Sequence, residues 1–295
     1  MAKLSHKFEY FFFILIIKIS CWLSPRGADR FGRMLGTITS IILFPRKKIA
    51  FQNIKNRIGQ NFSDKKINLI VRDVFHNIGR TFVEVSRFNI LNFDKVREII
   101  VPEGTELLEK INSEGKGGIF VTAHFGNWEL LGFWLFSLGY KADYVVATQH
   151  NDIFDELLTR CRRNVDCGLI RPGKNIRDIY RAFDANKFVV ILPDQHDSTQ
   201  SLIMDFLGEP ASIFKGPAVF SLRTGVPIIP VMVRRERFDK HVIICDEIIY
   251  PPKDGLNKEN IEMIMGKINK FIEGNIKKYP DQWLWTHRRW KVKKN

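Results

Sequence analysis

Gly118-Ile-Phe-Val-Thr-Ala-His-Phe-Gly-Asn-Trp-Glu-Leu-Leu-Gly-Phe-Trp-Leu-Phe136 holds the transition on which the fold turns. Its first five residues form an apolar, β-branched run that reads as a buried strand ending near His124. Gly126 and Asn127 break the pattern, and the residues from Trp128 onward read as a helix with Asn127 as N-cap. On a single helix, residues 124 and 129 would stand roughly 140° apart. With the His on a strand-end loop and the Glu in the first helical turn, their side chains can meet. The carboxylate also lies at the positive end of the helix. An imidazole beside a carboxylate can take a proton from a hydroxyl, so His124 and Glu129 are the catalytic candidates. In this reading Glu129 fixes the tautomer of His124 and stabilises its protonated form. The plainer alternative makes His124 a strand-edge residue and Glu129 a solvated first-turn acid.

Working outward, helix and strand patterns alternate after Val101-Pro102. Strands are expected at 118–122, 143–148, 168–170, 188–192, 227–234 and 242–250. Helices are expected at 105–111, 127–138, 153–164, 175–185, 213–223 and 257–278. Before them, residues 49–92 carry helical patterns, with Ser63 capping a helix over 67–88. Such alternation implies an α/β fold with a largely parallel sheet and helices on both faces. The short link 235–240 leaves the last two strands free to pair antiparallel. Ligands in such sheets sit outside the strand C-termini, where His124 and Asp194 both fall.

Composition narrows the function. The net charge of +14 sits at the two ends of the chain. Residues 1–60 hold 11 Lys/Arg against 2 acids and residues 277–295 hold 7 against 1, while the middle is near balance. A nucleic-acid binder spreads its basic residues along one reading surface. Here the basic ends flank apolar segments, which fits an anionic membrane surface and argues against nucleic acid. Tyr10 to Ile17 is apolar but short of a spanning helix, and Lys18 follows it. No small-x-small cleavage site precedes Pro25-Arg26. A second apolar stretch, 34–44, ends at Pro45-Arg-Lys-Lys48. Residues 1–48 therefore read as an uncleaved anchor lying on or shallowly in the cytoplasmic leaflet, with 49–295 as the catalytic domain. The alternative is plain helices packed on the core. Four cysteines (Cys21, Cys161, Cys167, Cys245) are too few for a disulfide framework, and Cys161 and Cys167 lack zinc-site spacing. Trp283, Trp285 and Trp290, set among Arg288, Arg289 and further lysines, read as an interfacial cluster with at least one Trp in the core.

Together these pieces carry a resemblance. Phe44-Pro45 with its basic run, His124 to Glu129, Asn151 to Arg162, Leu192-Pro-Asp-Gln195, Lys215-Gly-Pro-Ala218, Thr224 to Pro230 and Tyr279 to Trp290 occur in an order and spacing similar to the lipid A biosynthesis acyltransferases. That family lies within the wider HxxxxD/E acyltransferase superfamily, and the resemblance spans most of the chain. It implies a glycerol-3-phosphate acyltransferase-like fold with an N-terminal membrane-associating helical segment. It implies an acyl-carrier protein thioester as donor, a hydroxyl of a lipid A precursor as acceptor, and the cytoplasmic face of the inner membrane of a Gram-negative bacterium. It points to Arg162 as an active-site arginine for phosphate or oxyanion, although Cys161 and Asp152 depart from the family pattern around it. It turns Asp194 towards the active site, to position substrate or that arginine, and Asn127 completes the candidate substrate-binding set. His196 and Asp197 form a competing second pair. Neither metal nor organic cofactor is implied: the stretch is not an HExxH zinc motif, and with no GxSxG elbow in the chain no covalent acyl-enzyme is needed. The alternatives are acylation of another glycolipid or an aminolipid, or a non-catalytic lipid or carrier-protein binder.

Overall fold

The structure, a computed structural model, describes residues 4–115, 117–146, 168–171, 176–195 and 201–290. Four helices come first: α1 (Leu4–Trp22), α2 (Pro25–Ile42), α3 (Phe44–Arg57) and α4 (Asp64–Ser86). Ser63 caps α4 as the sequence implies, its hydroxyl accepting from the Lys66 N–H at 3.3 Å. Among the described residues no helix is long and apolar enough to cross a membrane.

Helices α2 and α4 touch through small residues. Ala28, Gly32, Gly36 and Ser40 form the buried stripe of α2 at four-residue spacing. Across the contact, a Cβ on Gly79 would lie 2.2 Å from the Gly32 carbonyl oxygen. Any side chain there would force the helices apart. The opposite side of this region is apolar and uncovered: Met34, Ile38, Ile41, Ile42, Leu43 and Phe44 are exposed, and Trp22 is 87% exposed.

The remainder follows the expected alternation: α5 (Phe93–Ile99), β1 (Ile100–Glu103), α6 (Leu107–Ser113), β2 (Gly118–Val121), α7 (Leu130–Ser137), β3 (Ala142–Val145), β4 (Gly168–Ile170), α8 (Ile176–Asp184), β5 (Phe188–Ile191), β6 (Ser201–Asp205), β7 (Pro210–Phe214), α9 (Gly216–Thr224), β8 (Ile228–Arg237), β9 (Lys240–Cys245) and α10 (Lys258–Lys278). Seven strands make one sheet in the order β1-β9-β8-β2-β5-β3-β4, and β6 with β7 forms a separate hairpin. Every pairing in the large sheet is parallel except β8 with β9, the pair joined by the short link. Sequence patterns missed α5, β1 and the hairpin, carried the last strand on to residue 250 where β9 ends at Cys245, and started the helix now seen as α9 three residues early, inside β7.

Period-two burial splits the core into two layers. Ile119 and Val121 of β2 with Val189 and Ile191 of β5 face one cluster, which includes residues of α4, α8, α9 and α10. Phe120, Phe188 and Val190 face the other, with residues of α5, α6 and α7. The sheet is thus covered on both faces, as parallel sheets require. From β2 the chain travels one way to β3 and β4 and later returns on the other side for β8 and β9. This reversal beside β2 is where an open α/β sheet leaves a crevice.

Candidate active site

The crevice is filled by strand register. β2 and β5 are adjacent and parallel, with Val121 opposite Ile191, and the Thr122 N–H donates to the Ile191 carbonyl at 3.1 Å. Three residues beyond that pair, each chain presents a polar side chain: His124 after β2 and Asp194 after β5. Equal offsets from a shared register bring the two together. His124 Nδ1 lies 2.8 Å from Asp194 Oδ1, and the His124 backbone N–H donates to Asp194 Oδ2 at 2.9 Å. A third donor, Trp283 Nε1, reaches the same Oδ2 at 2.9 Å. Burial would raise the Asp194 carboxyl, but the neighbouring His124 and these donors outweigh it and hold it at about 2. The carboxylate stays charged at neutral pH and accepts from Nδ1–H, leaving Nε2 as the basic nitrogen.

The His124 loop is shaped by a buried network beneath it. Gly126 adopts φ +57°, and a Cβ there would sit 1.9 Å from the Val233 carbonyl oxygen, so only glycine fits. Its carbonyl accepts from Thr81 Oγ1 at 2.9 Å and from Asn77 Nδ2 at 3.3 Å. Thr81 in turn accepts from Arg235 Nη2 at 2.9 Å, and Arg235 grips Glu84 through Nε (3.0 Å) and Nη2 (2.6 Å). Burial would raise the Glu84 carboxyl, yet Arg235 and His241 bring it down to about 2. From above, the loop pairs with the C-terminal segment: Gly126 N–H donates to the Gln282 carbonyl at 2.9 Å and Leu284 N–H to the His124 carbonyl at 3.0 Å. The sequence reads this segment as interfacial with at least one Trp in the core, and Trp283 and Trp285 are both buried there; the buried Arg289 donates to the Pro193 and Gln195 carbonyls, bracketing Asp194. Burial lowers the Arg289 guanidinium to about 10.

The structure brings part of the expected set together. His124, Trp128 and Glu129 line one cavity of about 560 Å³. Glu129 stands at the N-cap position of α7, which begins at Leu130, and its Oε1 accepts from Trp128 Nε1 at 3.1 Å. The Trp128 ring meets the His124 ring edge-on, with centroids 5.1 Å apart. The carboxylate at Nδ1 is Asp194, from 70 positions away, rather than the nearby Glu129. Asn127 is neither the side-chain cap of α7 nor on the cavity wall. It is fully buried, its Nδ2 donating to Glu84 Oε2 at 2.6 Å, because the turn at Gly126 points it into the network. Arg162 lies outside the described residues, as do Cys161, Cys167, His196, Asp197 and the helix expected at 153–164. Among the described residues no three His, Cys, Asp or Glu side chains could together hold a metal ion.

The cavity has two characters. Ile78, Phe82, Val85, Val145, Val146 and Leu192 supply apolar lining, while Arg46, Gln195, Thr286 and His287 join His124 as polar lining. Burial, with the nearby His124 and Arg46, keeps His287 below the ordinary histidine range. Arg46 comes from α3, two residues after the exposed Phe44, and donates to the Thr286 carbonyl at 3.3 Å.

A His–carboxylate pair at parallel strand ends, beside a pocket lined by apolar as well as polar side chains, fits the class of α/β enzymes that act on acyl lipids. Comparison with known proteins makes this specific: the chain belongs to the bacterial lipid A biosynthesis acyltransferase family, which matches residues 2–292. It is 25% identical over 265 residues to the lipid A biosynthesis palmitoleoyltransferase of Escherichia coli (strain K12), covering 89% of this chain and 84% of that one. The lauroyltransferase of the same organism is 22% identical over 266 residues, covering 90% and 85%. A phosphatidylinositol mannoside acyltransferase of Mycobacterium tuberculosis is 22% identical over 222 residues, covering 72% and 67%.

Proposed function

We propose that this protein transfers a fatty acyl chain from an acyl-carrier protein thioester to a hydroxyl of a lipid A precursor, with His124 as general base. The observation that carries the reading is the Asp194–His124 pair, whose His124 lines a cavity walled by apolar as well as polar side chains. His124 Nε2 takes the proton of the acceptor hydroxyl as its oxygen attacks the thioester carbonyl. The tetrahedral intermediate collapses, the carrier thiolate leaves and takes up the proton held by His124, and the ester remains on the acceptor. Asp194 holds the imidazole in the tautomer with Nδ1 protonated and stabilises the imidazolium. Glu129 adds negative charge to the same cavity and favours that cation. Arg162 is proposed to meet a phosphate or the oxyanion. Asn127 is assigned to holding the loop rather than the substrate. The apolar lining takes an acyl chain.

The membrane assignment belongs to the same proposal. The exposed apolar residues of α2 and the start of α3, followed by Arg46, Lys47 and Lys48, suit a peripheral position on an anionic leaflet. An acidic carrier protein suits the basic ends of the chain. The similarity to a mycobacterial phosphatidylinositol mannoside acyltransferase favours a second reading, the same chemistry on another glycolipid.

Two measurements test the proposal. Mass spectrometry of lipid A from cells with and without the protein should show a difference of one acyl group; no change in lipid A, with a change in another glycolipid, selects the second reading. In a purified transfer assay, His124→Ala and Asp194→Asn should each lower turnover by roughly 10² or more while the protein stays folded. Turnover close to wild type in His124→Ala would refute the general-base assignment.

A further inference from the structure

We infer that Trp283 is a positioning residue of the dyad, its indole N–H fixing which face of the Asp194 carboxylate meets His124. The carboxylate can turn about its Cβ–Cγ bond, a torsion with a broad, roughly two-fold preference. With only Nδ1 and the His124 backbone N–H as donors, both contacts come from one residue and move with it. The Trp283 N–H is an independent anchor from a segment 89 positions away, and it holds Oδ2 at 2.9 Å so that Oδ1 faces Nδ1 at 2.8 Å. Its own position is rigid. Trp283 is 2% exposed, stands edge-on to Trp285 with centroids 4.7 Å apart, and leans on Phe206 and Trp290. Flanking residues bond the His loop from the same segment: the Gln282 carbonyl accepts from Gly126 and the Leu284 N–H donates to His124.

The other indoles of the cluster show that this donor is not merely what a buried tryptophan needs. Trp285 Nε1 donates to the Pro280 carbonyl at 2.7 Å and Trp290 Nε1 to the Phe206 carbonyl at 3.0 Å, both ordinary backbone partners. Trp283 alone of the three spends its N–H on a carboxylate. Nothing in the sequence pattern around the HFGNWE stretch points to a residue so far along the chain.

The variant Trp283→Phe keeps an aromatic ring and deletes the donor. Among the described residues, the other charged and titratable groups around the dyad are Arg46, Glu129, Tyr144 and His287 lining the cavity and Arg289 under the Pro193–Gln195 loop, and the variant leaves each in place. An Asp194 carboxylate with one donor fewer is more basic and holds the protonated imidazole more strongly. The His124 ring signals in an NMR pH titration should therefore move to higher pH than in the wild-type chain. For turnover, kcat should fall by about tenfold with KM within about twofold, the cost of one hydrogen bond to a charged group. The acid limb of kcat against pH should move the same way as the titration. The kinetic arm rests on the acyl-transfer reading; the titration arm does not, so it stands or falls even if no transfer is found. If Trp283→Phe fails to fold, the wild-type indole N–H resonance decides: it should shift as His124 titrates and lose that response in Asp194→Asn. A folded Trp283→Phe with wild-type titration and wild-type kcat overturns the inference, as does an indole resonance that ignores the His124 titration.

Discussion

Substituting Arg235→Met should cost this protein about 3–5 kcal/mol, because it strands the Glu84 carboxylate inside the core. Arg235 is the bidentate partner of Glu84, and both side chains are buried, at 2% and 7% exposure. The fall of the Glu84 carboxyl from 4.5 to about 2, against the burial that would raise it, corresponds to a net preference for the charged form of roughly 3 kcal/mol, shared between Arg235 and His241. At the size of this chain that corresponds to a melting point lowered by roughly 6–20 °C. The sign with pH follows from a depressed acid. Stabilisation by the pair is fully present above about pH 4.5 and is lost as pH falls toward about 2. Urea unfolding followed by the fluorescence of the buried tryptophans, in detergent, measures both quantities. The gap between wild type and variant should be largest near pH 7 and narrow steadily below pH 4.5. The double variant Glu84→Leu with Arg235→Met should recover most of the loss, since removing both charges spares the desolvation of either. A single variant within about 0.5 kcal/mol of wild type, or a gap that ignores pH, would refute the account of this pair.

Two further outcomes follow from the same geometry. Gly126→Ala must place a Cβ against the Val233 carbonyl at a positive φ, so it should shift the His124 loop and cut turnover by about 10², a loss typical of an ångström-scale misplacement, with a smaller effect on melting; an active Gly126→Ala protein would show that the loop tolerates the shift. Replacing Trp22, Ile41, Ile42 and Phe44 with Gln should weaken partition into anionic vesicles at least tenfold, since each exposed side chain loses on the order of 1 kcal/mol of burial in lipid; unchanged sedimentation with vesicles would place the membrane contact elsewhere.

Much of this molecule was readable before its coordinates, and the misses share a cause. The strand at Gly118–Val121, the cap at Ser63 and the helix ending at Lys278 depend on local patterns, and they lie within a residue or so of where the sequence puts them. His124 was legible because a strand, a break and a helix surround it. Its carboxylate partner was harder: Asp194 was singled out as a site residue, but nothing local says that β5 lies beside β2 in a register matching the two loops. The near neighbour Glu129 therefore looked like the natural partner. The tryptophan-rich end was legible in part: a core place for at least one Trp holds for Trp283 and Trp285, whereas nothing local shows that Arg289, among basic neighbours, turns inward onto two carbonyls. Asn127 read as a cap because the turn at Gly126, set by contacts with β8, is invisible in its own sequence. The N-terminal apolar stretches were legible as apolar, but only their packing shows a glycine-lined face against α4 and a bare face on the other side.

The segment from Gln282 to Arg289 is also a statement about time. Asn77 reaches Gln282 across 205 positions and Trp283 reaches Asp194 across 89, so these bonds close long loops whose entropy must be lost before any contact is gained. Because α1 to α4 precede that segment in the chain, the helices with the exposed apolar face are made before the residues that lock the dyad. The pairing of His124 with Asp194 thus waits on a segment made after every strand of the sheet, so the dyad takes its final geometry late in folding.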